Sequence, residues 1–528
     1  MDESCVEPLL SSKTTHEVGQ KRPRQTNAVK LLGQIGTGVY GTVYALKIED
    51  TGQEYAMKLL CKIDNNFTYT CDYAREIFGM YTSGLLKGFF ACHLSGRFGL
   101  LMPLMGCRLG NSMVQMMSVP AAAALLEPIA LSLKNMHGMH RDVKPSNIML
   151  PRTAKDQCAL VDFSLTTNMC KSRDDAVITL WYRPPEIIMG LEHTKISEVW
   201  SFGMVLLNVL TGILLNRCAV EENKSAFIID LLDKFGWPKD WPEFYYSVEK
   251  IFNSNYRGHA TGYLSFEALV AQSPGATSKH IACASDLLRG MLKICPKDRF
   301  SWNQVISHEF WTLKDDSQRP IKECAITYPS DIGDVSSFLK SSQLFESGAG
   351  QEALMLVKQQ SDYAIDRSEY VGTMFGIIET FISKAKIYGF GESTAFYAIS
   401  IMECAIFNGL KCDVEIFSAC LFLAAAYNED LRLHQYSWTT WTSKWDPASL
   451  TNCSKKFARA TIKVLVHTRG YWPTVSWSSV FQSISEKIKS LTNEQVYQTT
   501  ALFLLACPVP EKSEEISFVL TQIKKLTA

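Results

Sequence analysis

No sign of charge prevails in this chain: Lys plus Arg number 53 and so do Asp plus Glu, for a formal net charge of +0. That balance removes the broad field that draws proteins to nucleic acid or to an anionic membrane, and neither is expected as a partner. A membrane-spanning run is missing too. The most apolar long stretch, 199–215, is broken by Ser201, Asn208, Thr211 and Gly212 and reads as a buried helix. The first 20 residues are polar and of mixed charge, unlike a secretory signal. The 16 cysteines form no C-x-x-C pair and have no histidines at zinc spacing, which argues against a zinc module or a disulfide framework. Free thiols without export features predict an intracellular protein, cytoplasmic or nuclear.

What is present is length and a change of pattern. The 528 residues leave room for two to four domains. Residues 1–27 look like a disordered leader. From 28 to about 87 apolar residues alternate between glycines, as in a small antiparallel sheet, and helical spacing dominates from about 111 to 311. The polar stretch 313–337, with Asp315, Asp316, Pro320, Pro329, Asp331 and Asp334, is expected to be a linker. Beyond it, 338–528 shows almost no strand signal, and helices are expected over 370–388, 392–408, 413–427, 454–466, 475–490 and 493–505. A mixed α+β unit followed by an all-α unit is the predicted organisation.

One block names a reaction. His140-Arg141-Asp142-Val143-Lys144-Pro145-Ser146-Asn147 is followed by Asp162-Phe163-Ser164. Phosphoryl transfer needs a carboxylate to orient and deprotonate a hydroxyl, a cation to neutralise the moving phosphate, and oxygen donors for Mg²⁺. Asp142, Lys144 and the pair Asn147 and Asp162 have that chemistry. Upstream, Gly36-Thr37-Gly38-Val39-Tyr40-Gly41-Thr42-Val43 lies between alternating apolar segments, and its glycines let backbone approach phosphates. Lys58 follows on the next extended segment. Glu76 lies further on, at a spacing that fits a strand lysine and a helix carboxylate fixing its ammonium.

Pro184-Pro185-Glu186 and Arg299 complete the order, and residues 28–312 resemble a eukaryotic-type protein kinase. More narrowly they are similar to its cyclin-dependent branch. Val177-Ile178-Thr179-Leu180-Trp181-Tyr182-Arg183-Pro184-Pro185-Glu186 is very close to that branch's Val-Val-Thr-Leu-Trp-Tyr-Arg-Ala-Pro-Glu, and Ala74-Arg75-Glu76-Ile77 resembles the end of its partner-sensing helix. The resemblance implies a bilobal fold with ATP and Mg²⁺ in the cleft. Ile35, Val43 and Ala56 would cover the adenine, Met149 would form its floor, Met102 would be the gatekeeper, and Pro103 to Met105 the hinge. Glu186 and Arg299 would form a structural ion pair. Ile178 and Arg183, beside Thr179 in the substrate site, match the pair that favours proline after the phosphoacceptor, so Ser/Thr-Pro protein substrates are expected.

The departures from that family concern control. Ser164 stands where the metal triplet has Gly, and Glu198 where the family has an Asp that bonds the catalytic-loop backbone. Asp174 occupies the place of the branch's activating phosphothreonine. Arg75 and Arg141 match two of the arginines that meet that phosphate, while the third position is Thr167. Asp174 is therefore expected to act as a fixed acidic substitute. Tyr40 matches the branch's inhibitory tyrosine, but Val39 replaces the neighbouring threonine. Because Lys58, Glu76, Asp142, Lys144, Asn147 and Asp162 are all kept, a working kinase is expected; the alternative is a pseudokinase scaffold that sequesters cell-cycle partners.

In the helical unit, Glu392-Ser393-Thr394 and the residues after it are similar to a helix of the cyclin box, and the run from Phe417 to Glu429 resembles its buried third helix. Ile462-Lys463-Val464-Leu465 with Trp472-Pro473-Thr474 resembles the turn into its fifth. The box would cover about 355–488 within 338–528. The cyclin family's kinase-gripping Lys and Glu are absent, Ala426 and Ala458 standing at those positions. The resemblance thus implies an α+β bilobal kinase followed by an all-α cyclin-box-like domain, which would activate the kinase in cis at the high effective concentration a tether provides.

Overall fold

The computed structural model describes residues 29–38, 41–60, 67–92, 97–110, 116–136, 138–167, 171–172, 179–213, 224–238, 240–252, 264–327, 332–341 and 343–346, then parts of 381–429 and isolated positions between 441 and 468. The expected leader, Val39, Tyr40, Asp174, Ile178, Ala458 and the helices expected at 475–490 and 493–505 lie outside the described residues.

The first lobe comprises β1 (Val29–Gly38), β2 (Gly41–Ile48), β3 (Glu54–Leu60), α1 (Phe67–Thr82), β4 (Gly88–Cys92) and β5 (Arg97–Pro103). Its strands alternate faces as a period of two requires. Tyr44, Leu46, Met57, Leu59 and Leu101 pack on the outer face, while Ala45 and Ala56 face the cleft with Ile35, Val43 and Met102. Gly41 (φ 154) lies so close to the carbonyl of Leu59 that a Cβ would not fit.

The second lobe follows with α2 (Val119–Asn135), β6 (Ile148–Met149), β7 (Ala159–Leu160), β8 (Lys171–Ser172), α3 (Pro185–Ile188), β9 (His193–Thr194), α4 (Lys195–Thr211), α5 (Lys224–Phe235), α6 (Pro242–Phe252), α7 (Phe266–Val270), α8 (Ser278–Met291) and α9 (Trp302–Ile306). Helix α4 is its axis. Thr194 caps its start, Gly212 (φ 66) ends it, and every residue from Ser197 to Thr211 is buried. The apolar run read as a buried helix is therefore this core helix as far as Thr211. Among the described residues no helix is long and apolar enough to cross a membrane.

The stretch expected to be a linker is packed instead. The Asp315 amide donates to the Pro120 carbonyl (3.3 Å), Ser118 Oγ donates to Gln318 Oε1 (2.7 Å), and the Lys322 amide donates to the Pro151 carbonyl (3.2 Å). Thr327 then pairs with the free edge of β1, exchanging backbone bonds with Gln34 at 2.7 and 2.8 Å. Next comes α10 (Ile332–Ser341), whose Val335, Phe338 and Leu339 join the outer face of the sheet. After it β10 (Gln343–Glu346) pairs antiparallel with β4, giving the order β1-β2-β3-β5-β4-β10. This strand lies where the sequence showed almost no strand signal. Its pairing partner is the open edge of β4, a tertiary feature that four residues cannot announce.

The helical unit contributes α11 (Glu392–Phe407) and α12 (Val414–Asn428), packed together close to two of the expected helices. From Ser418 to Glu429 every residue is buried, so α12 is a central helix. Trp441 stacks on Tyr388 at 4.3 Å, and its indole N–H donates to Ser418 Oγ at 3.0 Å.

Because Phe338 is 4% exposed within the outer-face cluster, Phe338→Ala should cost about 3 kcal/mol. Urea unfolding followed by tryptophan fluorescence checks this; an unchanged midpoint would mean that α10 is dispensable to the sheet.

Candidate active site

The catalytic loop is held in a costly conformation. Among the described residues the non-glycines with positive φ are Arg141 (65°) and Asp162 (70°), the residues beside and within the two acidic motifs. Glu198 sustains the first. Its Oε1 accepts from the amides of His140 (2.6 Å) and Arg141 (2.9 Å), so the longer acid makes the backbone bonds expected of an Asp. Burial pushes the Glu198 carboxyl up to about 7, and Oε2 has no partner among the described residues. Burial also holds the His140 imidazole below its ordinary pKa. Its Nδ1 accepts from the Asp142 amide (3.2 Å), which leaves the proton on Nε2 facing the Val161 carbonyl (3.3 Å).

The acid and the cation expected to act on phosphate meet directly. Lys144 Nζ lies 2.7 Å from Asp142 Oδ2 and donates to Thr179 Oγ1 at 3.0 Å; the Thr179 hydroxyl in turn donates to Asp142 Oδ1 at 2.8 Å. Asn147 Nδ2 donates to Asp142 Oδ2 (2.8 Å) and to the Asp142 carbonyl (2.9 Å). Across the cleft Lys58 Nζ bonds Glu76 Oε1 at 2.8 Å. Burial alone would lower the Lys58 pKa, but the carboxylates of Glu76 and Asp162 outweigh it and leave it raised. For Asp162, burial alone would favour the neutral acid. Lys58 and a hydrogen bond from Ser164 Oγ to Asp162 Oδ1 (3.0 Å) outweigh that, and the carboxyl sits below its usual range.

That donor set suits a hard cation. An ionised Asp162 and the amide oxygen of Asn147, whose nitrogen is already committed to Asp142, offer the oxygen ligands that Mg²⁺ takes alongside phosphate. The nucleotide side also fits. Ala56 pairs with Met102 in the sheet register, Ala56 and Met105 are buried, and Met149 is half-buried on β6. Gly36 and Gly38 close the β1 end of the hairpin, and a Cβ at Gly36 would project into open space. Thr37 lies between them and accepts from Gln34 Nε2 at 2.7 Å.

Among the remaining expected residues, Arg299 binds Glu186 through two bonds of 2.7 and 2.6 Å, with both side chains buried. Arg183 is half-buried after the Thr179 turn. Arg141 Nε donates to the Leu165 carbonyl at 2.6 Å. Arg75 reaches further than the sequence could indicate: Nε donates to the Ala426 carbonyl at 2.5 Å, and α1 packs along α12. Thr167 Oγ1 donates to the Tyr427 carbonyl (3.2 Å), and the Tyr427 hydroxyl lies against Thr82. Nothing in residue spacing signals these contacts, because most of the acceptors are backbone carbonyls. The same holds for the ion pair of Glu54 and Arg152 (2.6 Å), which joins the two lobes.

A fold of two lobes, a buried lysine–glutamate pair and an Asp–Lys–Asn loop define a phosphotransferase. The Protein kinase domain profile matches residues 29–311, so the chain belongs to the protein kinase family, and it is an enzyme of the serine/threonine class. Mitogen-activated protein kinase 12 of Danio rerio is 32% identical over 200 residues, covering 35% of this chain and 54% of that protein. Stress-activated protein kinase JNK of Drosophila melanogaster is 27% identical over 310 residues, 54% of this chain and 81% of that protein. Cyclin-dependent kinase 8 of Drosophila melanogaster is 25% identical over 338 residues, 56% of this chain and 72% of that protein.

Two outcomes are expected. Ser164→Ala removes a hydrogen bond to an ionised group and should raise the Mg²⁺ concentration for half-maximal rate about fivefold, read from initial rates in a Mg²⁺ titration. For Glu198, a folded pKa above the ordinary 4.5 means that its contribution to stability is most favourable below about 4.5, falls as pH rises to about 7, and is level beyond. Glu198→Gln keeps an acceptor oxygen and should erase that slope. Denaturant unfolding of both proteins at pH 5, 6, 7 and 8 gives the difference; parallel curves would mean that Glu198 does not titrate in this window.

Proposed function

We propose that this kinase phosphorylates Ser/Thr-Pro sites in proteins and is held active in cis by a cyclin-like helical unit. The observation that carries the reading is the packing of α1 against α12, with Glu76 of α1 bonded to Lys58 at 2.8 Å. The helix that bears the essential carboxylate is braced by the other unit. Arg183 and the resemblance of its segment to the cyclin-dependent branch support the proline preference.

The chemistry follows from the bonds in place. Asp142 can accept the proton of an incoming hydroxyl on Oδ1, where the Thr179 hydroxyl now donates. Lys144, 2.7 Å from Asp142 Oδ2, places a positive charge where negative charge would develop. Lys58, fixed by Glu76, can orient a nucleotide's phosphates, and Asn147 and Asp162 can hold its cation. Mg²⁺-ATP, when bound, supplies the phosphoryl group. The assembled set of Lys58, Glu76, Asp142, Lys144, Asn147 and Asp162 favours catalysis over a scaffold role.

Transfer of the γ-phosphate to a Ser-Pro peptide tests both halves. Asp142→Asn should lower kcat by about a thousandfold; full retention would turn the reading to the scaffold. A chain ended after Glu346, which keeps α10 and β10, should lose about tenfold or more, as expected when α1 is no longer confined to one position. Full activity in that chain would leave the kinase in place and dismiss activation in cis.

A further inference from the structure

The segment that closes the edge of β1 also crosses the nucleotide cleft, and it is fastened to three of the cleft's boundaries. Below, the Lys322 amide donates to the carbonyl of Pro151 (3.2 Å), two residues beyond Met149. Where the chain passes from β5 to the second lobe, Gly106 lies so close to the Lys322 carbonyl that a Cβ would strike it. Above, Thr327 exchanges backbone bonds with Gln34, the neighbour of Ile35. Gln34 Nε2 in turn donates to Thr37 between the two β1 glycines (2.7 Å). Gly33 makes room for this contact, since a Cβ there would meet Ile326 at 2.6 Å. Arg152, whose ion pair with Glu54 joins the lobes, also feels the charge of Glu323.

The segment has an inside and an outside. Of residues 321–327, every one but Cys324 is exposed. The half-buried Cys324 packs on the cluster of Ala45, Ala56 and Leu104, which Ile35, Val43 and Met102 also join. Its one inward side chain therefore falls among the residues that face the cleft. Cysteine behaves there as a small apolar group, because burial pushes its thiol above the ordinary pKa. A flat heterocyclic base binds best between apolar surfaces already held in place, since little has to be ordered when it enters.

We propose that residues 322–327 are a fixed wall of the nucleotide site and that Cys324 lies against the base of the bound nucleotide. The inference deepens the proposed reaction, on whose use of Mg²⁺-ATP it rests, by adding a binding element that follows the second lobe in sequence. Backbone bonds at Pro151 and Gln34 hold the wall from both ends, so it meets the base without rearrangement. Cys324 is a binding residue and takes no part in the transfer of the phosphoryl group.

The test uses the full chain with Mg²⁺-ADP as the probe, so the result does not depend on peptide preference. Saturating Mg²⁺-ADP should slow alkylation of Cys324 by N-ethylmaleimide about tenfold, read by mass spectrometry. The rate at Cys283 on α8, also partly exposed, should not change. In calorimetry, Cys324→Asp should raise the Kd for Mg²⁺-ADP about tenfold, because it sets a carboxylate against an apolar surface and an anionic ligand. Ala325→Asp puts the same charge on the exposed side one residue on, and its Kd should stay within about twofold. The urea midpoint of each variant is the folding control; if Cys324→Asp does not fold, the alkylation rates decide. Equal alkylation of Cys324 with and without Mg²⁺-ADP, in wild type that binds it, overturns the wall and leaves the kinase reading standing. So does a Kd that both variants leave unchanged or raise equally. Wild type that binds no Mg²⁺-ADP overturns both.

Discussion

The position of helix α1 decides whether the rest of this site exists. Glu76 and Lys58 form an ion pair with both side chains largely out of water. Such a pair returns its desolvation cost only when its geometry is enforced from outside. Two neighbours enforce it. Phe163 of the metal motif packs so tightly on Gly79 that a Cβ there would strike its ring, and α12 lies along the same helix. The first neighbour ties α1 to the metal aspartate. The second ties it to a distant part of the chain, since Arg75 and Ala426 are 351 positions apart.

The segment after the second lobe makes that arrangement more than a tether. A sheet with open edges invites foreign strands. Here both edges are closed by one stretch, Thr327 on β1 and β10 on β4, with α10 laid over the outer face between them. Because the same stretch is bonded to Pro120 and Pro151 of the second lobe, it also spans the hinge. Residue 346 is therefore held at a fixed point beside β4.

Legibility tracks the kind of partner each residue needs. Asp142, Lys144, Asn147, Asp162, Lys58 and Glu76 could be read because phosphoryl transfer demands those side chains in that order. The alternation of β1 to β3 and the buried helix α4 were equally open, since period and apolarity are local. Three features were not. The packed strap at 313–327 is polar and proline-containing, and its order comes from backbone bonds to Gln34, Pro120 and Pro151. Strand β10 takes its conformation from β4. Two acceptors of Arg75 are the carbonyls of Ala426 and Glu429, a kind of group that every residue owns and no sequence marks.

Ser164 and Glu198, which read as faults in a kinase, both keep a bond. The Ser164 hydroxyl donates to the Asp162 carboxylate, next to a backbone already held at positive φ. Glu198 reaches both amides that support the strained Arg141. Glycine at 164 would let the metal motif change conformation, a freedom useful to an enzyme that must be switched off and on. Serine gives up part of that freedom and gains a bond that adds to the pull of Lys58 in holding the Asp162 carboxyl below its usual range. The substitution suits a chain whose α1 is braced by its own helical unit, because a motif that need not flip gains more from being held than from being free. The departures thus fall on the parts that move in a regulated kinase, and the residues that handle phosphate stay as the chemistry requires.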